Sequence, residues 1–452
     1  MIEQIKNLIP KNQIVDGKSK EAQSFLKEKR GNFESSCSMI VMPKSTEEAS
    51  FVVKFCYNNN ISIVPQSGNT GLVGGAVAQA NQIILSSKLM NSVIEVNKEN
   101  FSITTESGVV LRDLQKTAEE HELYFPLSLP SENNCLIGGN LATNAGGISV
   151  LKYGNTRDLT LGLEVVLPNG EIYSDLNKLR KRNIGGDLKH LFIGSEGTLG
   201  FITKACLKLF PKPNKIVNVL ISLNKIEEAE EYFQKIYNKY SSLLSSFELF
   251  NQNAINLVKQ FNNIKYLKDD NFPWYIIMSF DIPEDNHNIK EFIESITKNK
   301  YIITENDDIW DCRYLIPDSQ SAYGQSLKHD ISTPLSDTIF FIKKSLADLE
   351  KKYPHMLLPI VFGHMGDGNL HFNISKIKNE SFDLLNLKKE IKDIIVKNVV
   401  DLNGSFSSEH GVGLLHKKEF KKFYLNNQYN NLKLIKSTWD KKNIFNPNKI
   451  LD

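Results

Sequence analysis

PQSGNTGLVGGA (65–76) is the stretch of this chain that decides how its fold is interpreted. It follows a β-rich run, ISIVPQ (61–66), and its glycines allow backbone N–H groups to point at a bound anion. It differs from a Rossmann loop because no amphipathic helix follows Gly75, and from a P-loop because no Gly-Lys-Ser/Thr sequence closes it. By itself the stretch fits either a phosphate-binding loop or a plain structural turn.

Two more glycine-rich stretches follow, IGGNLATNAGG (137–147) and GSEGTLGFIT (194–203). Loops of this composition let the backbone approach a pyrophosphate or a flat ring closely, so their repetition favours a long ligand such as a dinucleotide. For the second stretch, the alternative is a tight connection between a helix and a strand. Glu196 in the third stretch either contacts the sugar of the cofactor or caps a turn.

The segments around these loops indicate an α+β protein. Residues 1–35 look like a helical lead-in, and STEEASFVVKFCYNNN (45–60) has the pattern of a capped helix between β-rich runs. Beyond Pro213, amphipathic helical patterns accompany strand-like runs such as PWYIIMSFDI (273–282). This combination predicts an antiparallel sheet with helices on one of its faces.

The bulk properties narrow the classes of protein that fit. A chain of 452 residues suits two or three domains, and we place them at 1–213, 214–390 and 391–452, the last being helical. A net charge of +2 gives no general field that would attract nucleic acid. Five cysteines without a Cys-x-x-Cys spacing argue against a disulfide framework and favour a reducing compartment. The absence of a signal-peptide pattern and of a long apolar run predicts a soluble, cytoplasmic protein, with peripheral membrane association left open.

A cluster of histidines and a carboxylate forms the second group of candidate residues. GHMGDGNLHFN (363–373) places His364 and His371 on two strands that flank a tight turn, and SSEHGVG (407–413) adds Glu409 and His410. These residue types fit a His₂Glu metal site with an open position for water or substrate. The alternative is a set of structural polar residues without a metal.

Two cations complete the candidate site. Arg313 lies in IWDCRYLIP (309–317) and Lys328 lies in SLKHDIS (326–332). By residue type alone both fit a solvated surface, but a carboxylate substrate needs a guanidinium or an ammonium group of this kind.

Together the motifs resemble a known family. PQSGNTGLVGGA, IGGNLATNAGG, KYGNTRDLTLGLEVVLPNG (152–170) and GSEGTLGFIT are similar to the PCMH-type FAD-binding domain of the vanillyl-alcohol-oxidase superfamily. Within it, the chain resembles the branch of D-lactate, glycolate and D-2-hydroxyglutarate dehydrogenases. The resemblance covers nearly the whole chain. It implies two subdomains that bind FAD, a substrate (cap) domain built on an antiparallel sheet, and a C-terminal segment that returns to the flavin.

The resemblance implies a set of cofactor-binding residues. FAD is expected to be non-covalent, since the first loop has no histidine to which it could be attached. The residues expected to contact FAD are Gln66, Ser67, Gly68, Asn69, Thr70, Gly71, Ser131, Gly139, Asn140, Thr143, Asn144, Gly146, Gly147, Glu196, Gly197, Ile202 and Asn446.

The resemblance also assigns roles in catalysis. His364, His371 and Glu409 would bind a divalent metal, with zinc as the first choice and manganese or cobalt as alternatives. His410 would be the general base, Asn373 would contact the substrate oxygen, and Arg313 and Lys328 would bind the substrate carboxylate. The hydroxyl proton would then pass to His410 and the Cα hydrogen would pass as hydride to flavin N5.

Several alternatives stay open. Two cations suit a dicarboxylate such as D-2-hydroxyglutarate, but Pro317 stands where glutarate-type members commonly offer a threonine, so a D-lactate or glycolate dehydrogenase is the nearest rival. A non-redox flavoenzyme of ether-lipid synthesis and a flavin- or metal-binding protein without turnover are the others. The expected electron acceptor is an electron-transfer protein or a quinone, and a homodimer stays open.

Overall fold

A computed structural model of the chain describes residues 2–267, 271–283, 288–378, 380–424 and 426–452. The strands are β1 Ile14–Asp16, β2 Met39–Val41, β3 Ile63–Gln66, β4 Ile83–Ser86, β5 Val93–Asn97, β6 Ser102–Glu106, β7 Leu123–Tyr124, β8 Thr160–Val166, β9 Ile172–Asp175, β10 Phe201–Lys208, β11 Phe210–Pro211, β12 Lys215–Leu223, β13 Leu244–Asn251, β14 Trp274–Ile282, β15 Tyr301–Thr304, β16 Ser326–Leu327, β17 Asp330–Ser332, β18 Leu357–Gly363 and β19 Asn369–Lys376. The α-helices are α1 Gln23–Leu26, α2 Thr46–Asn59, α3 Leu111–Glu120, α4 Ile137–Ala142, α5 Val150–Tyr153, α6 Lys189–Phe192, α7 Glu227–Tyr240, α8 Gln252–Phe261, α9 Ile289–Ile296, α10 Asp311–Tyr314, α11 Ile316–Tyr323, α12 Thr338–Lys352, α13 Lys388–Val400, α14 Lys417–Phe423 and α15 Asn426–Trp439.

The chain divides into two compact units. The first unit contains the residues up to Gly146, Gly154–Lys212 and Glu409–Asp452, and the second contains Gly147–Tyr153 and Pro213–Ser408. The sequence suggested boundaries after residues 213 and 390. Helix α13 belongs to the second unit because its buried side chains join the hydrophobic core of that unit.

Two sheets form the framework of the first unit. In one, β2 and β3 lie parallel on either side of β4, and β1 is antiparallel to β2. The other is an antiparallel sheet in the order β5-β6-β10-β8-β9. Helix α2 covers the first sheet with Ala49, Val52 and Val53, and the side chain of Ser45 accepts a hydrogen bond from the backbone N–H of Glu48 at its start. The predicted capped helix is therefore confirmed.

The start of the chain differs from the prediction. Residues 1–35 contain short 3-10 turns, strand β1 and the single-turn helix α1 rather than a helical lead-in. Pro10 and Gly17 interrupt the segment, and Ile14 and Val15 pair with β2 instead of continuing a helix. Local polar spacing suggested a helix where strand pairing decides the structure.

The second unit is built on one large sheet. Its order is β15-β12-β14-β13-β18-β19-β16, with β17 also paired to β19, and the pairs are antiparallel as predicted. Helices cover both faces, not one, because neighbouring residues of β12 are apolar on both sides: Val219 faces the core of α7, α9, α12 and α13, and Leu220 faces the core of α8, α10 and α11.

Within the described part of the chain, no helix combines the length and the apolar character needed to cross a membrane.

Candidate active site

The loop after β3 brings the first two glycine-rich stretches together. Gly139 faces Ser67, where an added Cβ would lie 3.3 Å from the serine Cβ. Gly68 is packed so closely that a Cβ there would lie 2.5 Å from the carbonyl oxygen of Asn134. Ser67 Oγ also lies 2.9 Å from Ser87 Oγ. We call residues 66–71 and 137–146 the glycine cradle, since its small residues leave both backbones exposed to a ligand.

The cradle and the adjacent Ser107 contain buried polar atoms that need a partner. Gln66 Oε1, Ser107 Oγ and Asn140 Nδ2 have no hydrogen-bond partner among the described residues. Gln66 is oriented by its amide nitrogen, which donates to the carbonyl oxygen of Phe25 at 2.9 Å. Buried polar atoms without a partner are rare in native proteins, so these three fit a polar ligand such as the cofactor. Sequence reasoning missed Ser107, which packs against Gly138.

The second stretch is not a loop throughout, as the sequence suggested. Its first six residues form α4, and the loop follows from Thr143. The helix has a glycine at its second position because a side chain at Gly138 would come within 2.8 Å of Ser107 Cβ. Close packing therefore selects glycine at a helix start that lacks the usual capping side chain.

The other residues predicted for FAD are distributed as follows. Asn69 is tied by its amide group to the carbonyl oxygens of Phe25 and Lys27, and Asn144 accepts a bond from the Arg157 backbone. Ile202 is buried at the start of β10. Thr70, Gly71, Ser131, Thr143, Gly146, Gly197 and Asn446 also lie in the first unit, whereas Gly147 belongs to the second unit.

Glu196 fixes the loop that carries Glu409 and His410. Its carboxylate accepts hydrogen bonds from the backbone N–H groups of Val412 at 2.6 Å and Gly413 at 2.8 Å. Burial raises its pKa, and these two bonds only partly offset that effect. The structure thus shows Glu196 bound to the protein's own backbone, which is closer to the capping alternative than to a sugar contact.

Asn446 also holds loops of the first unit in place through its side chain. Its amide donates to the carbonyl oxygens of Gly75 at 2.9 Å and Glu196 at 2.8 Å, and its oxygen accepts a bond from Lys449 Nζ at 3.0 Å. Burial, with Lys417 nearby, lowers the pKa of Lys449 to about 8. Asn446 therefore joins the first and third glycine-rich loops to the C-terminal segment.

Glu196→Ala is expected to lower the free energy of unfolding by about 2–4 kcal/mol, because two bonds to a charged acceptor are lost and two backbone donors lose their partner. Urea unfolding followed by circular dichroism measures the change. The control is Glu99→Ala, an exposed glutamate, which should change stability by less than about 0.5 kcal/mol. Equal unfolding midpoints for both variants would contradict this role of Glu196.

In the second unit, the predicted hairpin carries both histidines. β18 ends at Gly363, His364 follows directly, and His371 lies in β19 opposite Phe362. Gly368 closes the turn with φ at 82°, and an added Cβ would lie 2.2 Å from the carbonyl oxygen of Thr333. The two imidazole rings are 5.7 Å apart between centroids, so the turn brings them together as the sequence suggested.

Glu248 is a buried carboxylate beside these histidines. It lies on β13 with no exposed surface, 2.5 Å from His364 Nδ1, and it accepts a hydrogen bond from Arg313 Nε at 2.7 Å. Burial would raise its pKa, but the charges and bonds of His364 and Arg313 outweigh burial and lower the pKa to about 2. Glu248 is thus ionised and bridges a predicted metal ligand and a predicted substrate cation.

Arg313 is buried rather than on a solvated surface. Its side chain is held by Glu248, and its guanidinium lies 4.6 Å from the ring centroid of Phe362. Nε is engaged by Glu248, and the two terminal nitrogens of a guanidinium are the pair that suits a carboxylate in a forked geometry. Lys328, by contrast, is exposed just after β16.

Asp330 supports the second histidine. Its Oδ1 lies 3.9 Å from His371 Nδ1 and accepts a bond from Asn369 Nδ2 at 2.9 Å. Its Oδ2 accepts from the backbone N–H of Ser408 at 3.2 Å. Glu409 is the next residue of the chain. With His364 and His371 it would supply two imidazoles and one carboxylate, which is the donor chemistry of a zinc site with an open position.

Asn373 is already engaged by the protein. Its amide donates to Gln320 Oε1 at 3.0 Å, and its oxygen accepts from the backbone N–H of His329 at 3.1 Å. The His329 ring bonds to the Phe372 carbonyl oxygen, and burial lowers its pKa to about 4. These contacts fix the orientation of the Asn373 amide group.

Comparison with known proteins now defines the class. Residues 37–175 match the family model of an FAD binding domain, and residues 212–450 match that of the C-terminal domain of FAD linked oxidases. The chain therefore belongs to the family of FAD-linked oxidases, and FAD is its cofactor, as predicted.

Similar proteins define the branch of this family to which the chain belongs. It is 32% identical to a D-2-hydroxyglutarate–pyruvate transhydrogenase of Saccharomyces cerevisiae, over 99% of this chain and 93% of the relative. It is 35% identical to a mitochondrial D-2-hydroxyglutarate dehydrogenase of Danio rerio, over 92% and 79% of the two chains. A crystal structure of p-cresol methylhydroxylase with substrate bound has a TM-score of 0.78 at 16% identity, covering 100% of this chain and 96% of that chain. The predicted branch and the predicted PCMH-type α+β fold are confirmed.

Proposed function

We propose that this chain is an FAD-dependent dehydrogenase that oxidises a D-2-hydroxy acid, with D-2-hydroxyglutarate or a similar dicarboxylate as the preferred substrate, to the 2-oxo acid. The observation that carries the proposal is the network in which Glu248 joins Arg313 to His364. It holds a guanidinium near an imidazole, and a 2-hydroxy acid would need a carboxylate-binding cation near a metal-ligand histidine. The names of the relatives support the substrate class.

The protein's own groups would bind and orient the substrate. The terminal nitrogens of Arg313 would hold a carboxylate, and Lys328 would add a second, more exposed cation. The amide group of Asn373 would contact a substrate oxygen. His410 would take the proton from the hydroxyl group.

Two bound groups complete the site. FAD, held without a covalent bond by the glycine cradle, supplies the hydride acceptor. His364, His371 and Glu409 would hold a divalent metal, zinc before manganese or cobalt, which supplies Lewis-acid polarisation of the hydroxyl. The orphaned atoms Gln66 Oε1 and Asn140 Nδ2 support the place of the cofactor, and the donor chemistry of two imidazoles and a carboxylate supports the metal.

A smaller substrate is the second candidate. Pro317 lies in the first turn of α11 and offers no hydroxyl group to a distal carboxylate. This favours D-lactate or glycolate if Lys328 does not serve the distal group. The electron acceptor proposed is an electron-transfer protein or a quinone, and the name of the yeast relative adds a 2-oxo acid such as pyruvate. The cytoplasmic location and the homodimer remain predictions.

The test is the anaerobic visible spectrum of the purified protein. The flavin band near ~450 nm is expected to bleach with D-2-hydroxyglutarate and more slowly with D-lactate, D-malate or glycolate. L-2-hydroxyglutarate is the matched control and should leave the band unchanged. Faster bleaching by D-lactate or glycolate would favour the smaller substrate. A flavin band that no hydroxy acid bleaches would reject the proposal and indicate a flavin-binding protein without turnover.

A further inference from the structure

Glu248 is a carboxylate inside a fully buried strand, with contacts to two different parts of the site. Its oxygen Oε1 faces His364 Nδ1 and its oxygen Oε2 accepts from Arg313 Nε. Its neighbours on β13, Phe247 and Leu249, are buried in the hydrophobic core. Burying a charged carboxylate costs free energy, so packing alone does not explain a glutamate at this position.

We propose that Glu248 is a positioning residue that sets the tautomer of His364 and the orientation of Arg313 at the same time, so that metal binding and substrate binding depend on one carboxylate. This inference rests on the proposed function, since it assumes that His364 binds the metal and Arg313 the substrate.

The carboxylate of Glu248 lies very close to the His364 ring. Glu248 Oε1 lies 2.5 Å from His364 Nδ1, and a negative charge at this distance favours the tautomer of the imidazole that carries its proton on Nδ1. An imidazole with its proton on Nδ1 carries its lone pair on Nε2, which is the form that binds a metal through Nε2. A carboxylate in this place also makes the imidazole a stronger ligand.

Two contacts fix the orientation of the Arg313 guanidinium. Nε donates to Glu248 and the face of the guanidinium lies against Phe362. A planar group held at its edge and on its face cannot turn, so its terminal nitrogens point in one direction. The ring centroids of Phe362 and His371 are also 4.9 Å apart. Glu248 and Phe362 together therefore contact both histidines and the arginine.

The first test is the affinity of the metal-free protein for Zn²⁺, measured by competition with a chromophoric chelator. Glu248→Gln should weaken zinc binding by about 10–100-fold. The glutamine has a single amide oxygen, so it can accept from only one of Arg313 and His364. If it accepts from the charged Arg313, its N–H₂ group faces His364 Nδ1, and the imidazole proton moves from Nδ1 to Nε2. The Michaelis constant for the hydroxy acid should rise by about tenfold, since the arginine is no longer fixed.

A double variant separates positioning from damage. In Glu248→Gln/Arg313→Met the amide oxygen is free to accept from His364 Nδ1, so zinc should bind more tightly than to the single variant, although two residues are changed. The control is Asp281→Asn, which removes another buried carboxylate of the same unit that is bound to Tyr153 and Lys152. It should keep the zinc affinity of the unmodified protein.

The outcomes are distinct. If the unmodified protein binds zinc and Glu248→Gln binds it equally well, the role of Glu248 is rejected while the proposed function stands. If the double variant binds zinc more weakly than the single one, the loss is general damage and the inference is again rejected. If the unmodified metal-free protein does not bind Zn²⁺, the metal part of the proposed function fails together with it. Should Glu248→Gln not fold, Glu248→Asp takes its place, because its shorter side chain cannot reach both partners, and unchanged zinc affinity in that variant overturns the inference.

Discussion

His410→Ala is expected to slow the reduction of the flavin by the hydroxy acid by about 10²–10⁴-fold, which is the usual contribution of a general base. The loop that carries His410 is held by Glu196, which accepts hydrogen bonds from the backbone N–H groups of Val412 and Gly413. The fold, the FAD content and the zinc affinity should therefore be kept. Anaerobic stopped-flow spectroscopy of the flavin band measures the rate.

Two further measurements separate a base from a structural residue. Added imidazole should restore part of the rate in His410→Ala, because a small base can enter the space that the side chain leaves. His121→Ala, at the end of α3, is the control and should reduce its flavin at the unmodified rate. A rate within tenfold of the unmodified protein, or no rescue by imidazole, would show that another group takes the proton.

Much of the candidate site could be predicted because its residues are neighbours in the sequence. His364 and His371 are joined by a tight turn, and the turn alone brings their rings to 5.7 Å. Glu409 and His410 follow each other directly. The capped helix α2 was predictable for the same reason, since Ser45 and Glu48 are within one turn.

The role of Glu248 could not be predicted in this way. Its partners Arg313 and His364 are far away in the sequence, and the strand that carries it reads LSSFELFN, a fully buried strand with a single charge. That charge was the available signal, because a lone glutamate in a buried strand must find a partner. Which partner it finds depends on how β13 pairs with β18, and only the fold supplies that register.

Tertiary packing also decided the features that differ from the prediction. Helix α13 looks like part of a charged C-terminal segment, yet Ile391, Ile395 and Val399 lie in the core of the second unit. The large sheet of that unit was expected to have one open face, but both faces are apolar and both are covered. Local patterns identify an amphipathic element, and they do not say which core it joins.

Removal of the metal is expected to lower turnover by about 10²–10³-fold, because Lewis-acid polarisation of the hydroxyl contributes several kcal/mol to the transition state. Dialysis against a chelator should remove one equivalent of metal, as measured by elemental analysis, and should leave the flavin band unchanged, since the glycine cradle contains none of the three ligands. Added Zn²⁺ should restore turnover, with Mn²⁺ or Co²⁺ as the comparison. Glu409→Gln should reproduce the loss and resist restoration, because an amide is a poor ligand for zinc. Full activity of the metal-free protein would instead leave His364, His371 and Glu409 as polar residues around a site in which His410 and Arg313 act without a metal.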